Sequence, residues 1–301
     1  MADFDPATPN PQALPGRTDR STPPTAEFVV QFWGVRGRTS APGKDTIRYG
    51  GNTSCVEMRV GGKRLIFDGG TGLRVLGNKM LTQMPVEGYI FFTHSHWERI
   101  QGFPFFVPAF IRGNCFHIYG ANAGNGESMQ QCLCNQMMHP NFPVPIQVMQ
   151  SDLKFYHLNP GDTVTLDDVT ITTASLNDTN QAIGYRVTWH GHSAVYAVDA
   201  EDSPEDLNQN LLHLASDADL LICNATPGGH LHPSSFTITP SSEAPWQTSV
   251  ALAKAAGVKQ LVMFRHEPDY DDDFLDMVQE EIHAAFPNGV VAAEGMILSV
   301  F

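Results

Sequence analysis

The sequence predicts an α/β protein in which β-sheets pack together beneath flanking helices. Short apolar runs rich in β-branched and aromatic residues recur along the chain, turn signals separate them, and helical patterns are interspersed rather than segregated. The runs are Phe28 to Phe32, Cys55 to Val60, Arg64 to Phe67, Tyr89 to Phe92, Cys115 to Tyr119, Val169 to Ala174, Ile183 to Trp189, Ala194 to Val198, Leu220 to Cys223 and Gln260 to Phe264. Gly61-Gly62, Gly69-Gly70 and Asn159-Pro160-Gly161-Asp162 mark turns between them. Helical patterns cover 72–82, 126–138, 204–215, 245–256 and 272–285. The last opens on Asp271, Asp272 and Asp273, a negative first turn suited to the helix dipole. No linker divides the chain after its first residues. Residues 25–301 are therefore read as one domain, and residues 1–24, rich in Pro, Thr, Ser and Asp, as a disordered tail. That tail has no apolar stretch of the kind a secretory signal needs.

Composition narrows the partners. A hydrophobic content of 42% with 26 glycines suits a loop-rich globular protein. No apolar run approaches the ~18 residues of a spanning helix, so no membrane is expected. The net charge of −14 argues against general nucleic-acid binding, because phosphate backbones are held by Lys and Arg. That average hides an asymmetry. Residues 31–75 carry eight bases against three acids, whereas residues 199–286 carry sixteen acids against three bases. A basic segment that reached the site would hold an anionic ligand; otherwise the pattern is an ordinary solvated surface. The cysteines Cys55, Cys115, Cys132, Cys134 and Cys223 are odd in number and scattered, which reads as reduced thiols in a cytoplasmic protein. Cys132 and Cys134 are two apart on a helical pattern and point to different faces, so they are read as structural.

The chemistry concentrates after one strand. Tyr89-Ile90-Phe91-Phe92-Thr93 delivers His94-Ser95-His96-Trp97-Glu98-Arg99. Alternation along the strand projects His94 and His96 to one side, as a metal pair requires. Phe32-Trp33-Gly34-Val35-Arg36-Gly37, Tyr49-Gly50-Gly51-Asn52-Thr53-Ser54, Leu65-Ile66-Phe67-Asp68-Gly69-Gly70-Thr71-Gly72, His94 to Phe106, Ala182 to Arg186, Val195 to Glu201 and Ala256 to Val262 follow in order. Together they resemble the metallo-β-lactamase fold, in particular its phosphodiesterase and ribonuclease Z-like branch, over nearly the whole domain. The resemblance implies an αββα sandwich with a site at one edge, two metal ions, often zinc, bridged by an aspartate and a hydroxide, and a homodimer. Such ions lower the pKa of bound water and polarise a phosphoryl oxygen.

Residue by residue, the resemblance carries over only in part. His94 and His96 match first-metal histidines, and Asp199 matches the bridging aspartate. Glu98 stands where the family has an aspartate, and Arg99 where it has a second-metal histidine. Asp178 replaces a first-metal histidine and Arg265 another ligand histidine, while a Gly-His pair is replaced by Ser242-Glu243. Arginine cannot ligate a metal, being permanently protonated, and two arginines would repel an arriving cation. Arg99 and Arg265 are instead expected to pair with Asp199 and Glu98, with Arg99, Arg265 and His266 as binding residues. His266 is alternatively a capping or packing residue. The leading expectation is a non-hydrolytic protein, with no metal, that binds an anionic small molecule or a protein partner in a regulatory role. The competing one is a mononuclear hydrolase of phosphodiesters, with zinc, iron or manganese on His94, His96, Asp178 and Asp199, and with Glu98 and Asp199 catalytic. A third, a mononuclear iron oxygenase or redox protein, has no sequence feature in its favour. The aromatic segment Gly102 to Phe110 either lines a pocket or subunit interface or belongs to the core.

Overall fold

The computed structural model describes residues 27–177, 181–200, 207–224 and 246–301. Strands β1 (Phe28–Gly34), β2 (Cys55–Val60), β3 (Lys63–Phe67), β4 (Glu87–Phe91), β5 (Cys115–Gly120) and β6 (Asp152–His157) lie side by side in a first sheet. Strands β7 (Thr163–Leu166), β8 (Val169–Asn177), β9 (Ala182–Trp189), β10 (His192–Ala197), β11 (Leu220–Asn224), β12 (Gln260–Phe264) and β13 (Gly289–Val291) form a second. β14 (Ile297–Ser299) returns to pair with β1, so the described residues make two seven-stranded sheets. The helices are α1 (Thr71–Met80), α2 (Trp97–Ile100), α3 (Met129–Gln136), α4 (Gln209–Leu214), α5 (Gln247–Ala255) and α6 (Asp272–Ala285).

Each sheet has an antiparallel part and a parallel part. β3 to β6 run parallel in the first sheet, and β10 to β13 in the second. The apolar faces meet in a core that contains Phe32, Phe67, Phe91, Tyr185, Tyr196 and Phe264. A second cluster, with Leu73, Leu76, Ile90 and Ile118, lies on the first sheet's outer face under α1 and α3, and a third, with Leu211, Leu252, Leu275 and Ile282, on the second sheet's outer face under α4, α5 and α6. This is the four-layer αββα sandwich. Because parallel strands share a direction, their carboxyl ends gather at one edge, where ligands of such sheets ordinarily bind. β3 ends before Asp68, β4 before His94, β10 before Asp199 and β12 before Arg265.

Each strand run read from the sequence is a strand, with ends shifted by a few residues. β6, β7, β13 and β14 were not anticipated. β6 (Asp-Leu-Lys-Phe-Tyr-His) is a partly exposed edge strand whose polar residues blur the apolar signal, and β13 and β14 are three residues each. Helix 272–285 matches α6, whose Asp271 side chain accepts the amide of Phe274 as an N-cap. The tail, Asp178 and Ser242-Glu243 lie outside the described residues.

The turn Gly69-Gly70 after β3 holds α2 backbone to backbone. Gly69 donates its amide to Arg99 O at 2.6 Å, and Gly102 donates to Gly69 O at 2.8 Å. A Cβ on Gly102 would overlap the Gly70 carbonyl oxygen. That contact sets how closely α2 approaches the strand ends, so Gly102→Ala is expected to destabilise the fold by about 1–3 kcal/mol through overpacking. Urea denaturation monitored by circular dichroism checks it; an unchanged midpoint would show that the turn gives way freely.

Candidate functional site

The strand ends bring together Asp68, His94, Asp199 and Arg265, and α2 adds Glu98 and Arg99. Arg99 has no exposed surface. Its guanidinium donates through Nη2 to Asp199 Oδ2 at 2.6 Å and through Nη1 to Asp68 Oδ2 at 3.1 Å, bridging the two sheets. Arg265 donates through Nη2 to Glu98 Oε1 at 3.0 Å, and its Nε lies 3.2 Å from the same oxygen and 3.1 Å from Asp199 Oδ1. Asp199 thus takes one arginine on each carboxylate oxygen. Burial alone would raise its pKa, but the charges of Arg99 and Arg265 outweigh that and hold the carboxyl well below its ordinary range.

Asp68 anchors the inner side. It accepts the Thr93 amide at 2.8 Å, the Thr93 hydroxyl at 3.0 Å, the Tyr196 hydroxyl at 2.8 Å and Arg99. Since the Thr93 hydroxyl gives its proton to Asp68, its oxygen is left to accept from His94 Nδ1, 3.1 Å away. That assigns the proton of His94 to Nδ1 and leaves Nε2 a bare lone pair. The Nε2 atom has no hydrogen-bond partner and lies 3.8 Å from Asp199 Oδ2. Burial drives the His94 pKa well below 6.5, so the ring is neutral. The carboxylate–threonine–histidine chain has the form of the outer support that orients metal-binding imidazoles. His96 stands edge-on to His94, with ring centroids 4.4 Å apart.

Asp68, Asp199 and Arg265 all have left-handed backbones, at φ 60°, 65° and 63°. Aspartate tolerates that region, whereas arginine there is unusual, and such departures collect where a site over-determines its residues. Gly37 makes room below: a Cβ there would come within 2.8 Å of Arg265 Cγ.

Of the expected site residues, the structure unites His94, Glu98, Asp199, Arg99 and Arg265. His94, Glu98 and Asp199 place one ligand atom each within 4.8 Å of one another, a candidate metal site. His266 is turned away. It is fully buried, donates Nε2 to Ala292 O at 2.8 Å, and stands edge-on to Tyr49, so of the two alternatives for His266 the geometry is that of packing. Arg99 likewise offers no surface to a dissolved ligand. Asp68, Thr93 and Tyr196 were not among the expected site residues. The signal for Asp68 was its place directly after a buried apolar strand and before a glycine pair, the same place that Asp199 holds after β10.

The basic segment spends its charges on structure. Arg36, buried, caps the carbonyls of Gly50, Glu267 and Tyr270, and Arg38 pairs with Glu267. Arg48 binds Asp272, Asp273 and Asp276 of α6, Arg59 and Arg64 share Glu57, and Lys63 pairs with Asp167. A cavity of about 370 Å³ beside His96 is lined by Ser95, Ile100, Asn125, Glu127, Cys132 and Asn135 among others, with an acid as its charged wall. The aromatic segment divides: Phe103 and Phe106 are core, while Phe105 is 53% exposed and stands edge-on to Phe142; Trp97, before the segment, is 62% exposed.

Residues 63–266 match the profile of the Beta-lactamase superfamily domain. No curated protein sequence matches significantly. Among solved structures, the metallo-beta-lactamase fold protein YhfI from Bacillus subtilis is 19% identical, with a TM-score of 0.63, over 90% of this chain and 99% of its own. A diphosphatase of the PhnP family is 14% identical, with a TM-score of 0.61, over 90% and 97%. The short form of human tRNase Z is 17% identical, with a TM-score of 0.57, over 90% and 98%. At these identities the likeness concerns the fold.

Two outcomes follow from the ion-pair geometry. Arg99→Leu strands two buried carboxylates and should cost about 3–5 kcal/mol in urea denaturation, partly recovered in the double variant with Asp199→Leu. Full stability of the single variant would show that Asp68 and Asp199 find other partners. Burial moves the pKa of His266 from 6.5 to about 4. The unfolded chain therefore takes up a proton that the folded one refuses. Stability is complete above about pH 6.5 and falls by about 3 kcal/mol toward pH 4, with His94 acting in the same direction. His266→Gln should flatten that slope, and an equally steep one would assign the loss elsewhere.

Proposed function

The chain belongs to the beta-lactamase superfamily, and from that premise we propose that it is a non-hydrolytic member that acts by binding a protein partner in a regulatory role. The observation that carries this reading is the position of Arg99. Its Nη2 lies 2.6 Å from Asp199 Oδ2, on the carboxylate that would bridge two cations. Arg265 holds the other oxygen of Asp199 and also Glu98. The donor set therefore does not fit a pair of divalent ions: the oxygens they need already carry guanidiniums, and like charges at such range repel by several kcal/mol even at an intermediate dielectric, roughly 4 kcal/mol at 4 Å. Guanidiniums balance charge and donate hydrogen bonds, but they do not generate hydroxide at neutral pH as a Lewis acid does.

Of the two ligand classes, a protein suits the geometry better than an anionic small molecule. The arginines are committed to carboxylates, and the cavity beside His96 carries Glu127 rather than a base. Trp97 and Phe105 are instead exposed, and exposed aromatics are the usual anchors of protein interfaces. The five free thiols fit a reducing compartment, the cytoplasm. No helix among the described residues is long and apolar enough to cross a membrane.

A second reading, a mononuclear phosphodiester hydrolase, is favoured by one observation: the unpartnered Nε2 of His94, held as a lone pair and aimed at Asp199. The neighbours that are a diphosphatase and a tRNase agree with that chemistry. The two readings separate on turnover of a generic phosphodiester with zinc or manganese supplied. The binding protein should give none above the uncatalysed rate. Turnover abolished by His96→Ala, with metal lost on His94→Ala, would establish the hydrolase instead. The triple variant Arg99→His, Asp178→His and Arg265→His should gain zinc at this edge if the scaffold otherwise suits metal; no gain would mean that the surrounding loops also differ.

A further inference from the structure

The opposite end of the first sheet carries a second group of metal-ligating side chains. β4, β5 and β6 are parallel neighbours, and their register sets Glu87, Cys115 and Asp152 in one row across the inner face. His117 lies two residues along β5, on the same face by alternation. His117 Nε2 is 2.9 Å from Glu87 Oε1 and 3.6 Å from Cys115 Sγ, and the three ligand atoms lie within 4.8 Å of one another. Asp152 Oδ2 is 3.9 Å from the same sulfur. Tetrahedral zinc, with bonds near 2.0 Å to nitrogen and oxygen and near 2.3 Å to sulfur, spaces its donors by about 3.3–3.6 Å. The pocket thus needs only small side-chain shifts to close on an ion.

The imidazole is fixed in orientation. Its Nε2 donates to the Glu87 carboxylate at 2.9 Å and its Nδ1 accepts from the Tyr156 hydroxyl at 3.2 Å; a metal on Nε2 takes the place of that proton, and the ring then carries its proton on Nδ1, donating to the Tyr156 oxygen. The ring stacks between Tyr89, at 4.7 Å and 16°, and Tyr156, at 5.8 Å and 15°. Such outer-shell contacts fix the ring's orientation, and the Tyr156 oxygen can accept from Nδ1 once Nε2 is ligated. Glu87 itself is half-exposed, with 56% of its side-chain surface open, so an ion reaches the cluster directly from solvent. Seven residues of extended chain, roughly 23 Å at about 3.3 Å each, separate Glu87 from His94, so this site is distinct from the one at the carboxyl ends.

We propose that Glu87, Cys115 and His117 bind one zinc ion, with Asp152 or water in the fourth position. A thiolate, an imidazole and a carboxylate are the mixed donor set that zinc accepts, and thiolate selects against magnesium and calcium. The thiol gives up its proton to solvent on binding, so two negative ligands offset the dication and neutral His117 completes the triad. Lys154, paired with Asp152 at 3.3 Å, is displaced outward when Asp152 serves as the fourth ligand.

Cobalt(II) titration of the full chain tests this. A thiolate ligand gives a near-ultraviolet sulfur-to-cobalt charge-transfer band, which the thiol-free cluster of His94, Glu98 and Asp199 cannot produce. The expected result is such a band, saturating near one equivalent and bleached by zinc. It should be lost in Cys115→Ser and kept in Cys132→Ser and in His94→Ala, while His117→Gln weakens cobalt affinity at least tenfold. Circular dichroism and the metal-free thermal midpoint verify that each variant is folded. No thiolate band in the parent chain, or a band that survives Cys115→Ser, would overturn the proposal. The band's response to Cys115 and His94 keeps it separate from the reading of the carboxyl-end site.

Discussion

Three carboxylates from three parts of the chain converge where the two sheets meet, and that convergence is tolerable only because cations lie between them. Asp68 follows β3, Asp199 follows β10, and Glu98 belongs to α2. Their buried positions exclude the water that would otherwise screen them. Arg99 reaches across from the first sheet to Asp199 in the second, and Arg265 closes the far side. The arrangement joins the halves of the sandwich beside the few main-chain bonds that cross there, from Gly37 to His266, His266 to Val35 and Ile183 to Thr93. Its value is not chiefly thermodynamic: the desolvation of two guanidiniums offsets much of the attraction, and buried ion pairs often add little net stability. What the pairs supply is direction. A guanidinium presents its donors in a fixed plane, so two arginines fix the orientation of Asp199 and of the residues that carry it.

The left-handed backbones at Asp68, Asp199 and Arg265 belong to the same constraint. A strand that simply continued would carry each side chain past the edge, whereas a turn into the left-handed region swings it back toward the opposing sheet. For Arg265 this conformation is intrinsically unfavourable, and the Glu98 and Asp199 contacts, with the space left by Gly37, offset its cost. The backbone clamp of Gly69 on Arg99 and Gly102 serves a related end by pressing α2 against the turn after β3.

How far this was legible in the sequence depends on which forces set each feature. Apolar alternation located the core strands because burial on an inner face is a local property of residues such as Phe28 to Phe32. It did not locate β6, where Asp152, Lys154 and His157 stand on an edge, nor the three-residue β13 and β14, whose pairing depends on strands far away in sequence. The pairing of Arg99 and Arg265 with Glu98 and Asp199 was readable from charge complementarity once order along the chain suggested the sandwich. Asp68 as a shared acceptor was not, because its role depends on Thr93 and Tyr196 meeting it in space. For the basic segment, counting charges left an anion-holding surface and an ordinary solvated one both open, and counting cannot reveal that Arg48 faces the acidic start of α6 or that Arg36 turns inward to cap carbonyls.

The cluster balances charge more completely than it satisfies hydrogen bonds. His94 Nε2 keeps a buried lone pair with no donor, a defect worth about 1–3 kcal/mol, although a guanidinium lies close by. The geometry of Arg99 explains why it does not help: its planar fork is aimed at Asp68 and Asp199, and turning toward His94 would forfeit a charge-assisted bond of 2.6 Å for a neutral one. The same comparison governs any cation that approaches His94. It gains a ready imidazole, but it must take Asp199 from Arg99, and Arg99 has no exposed surface through which to leave. A cation there competes with Arg99 for Asp199, and the helix that carries Arg99 is held by the glycine turn. The unsatisfied histidine and the buried arginine are two consequences of one packing arrangement, in which the backbone contact at Gly102 holds α2, and with it Arg99, against the turn after β3.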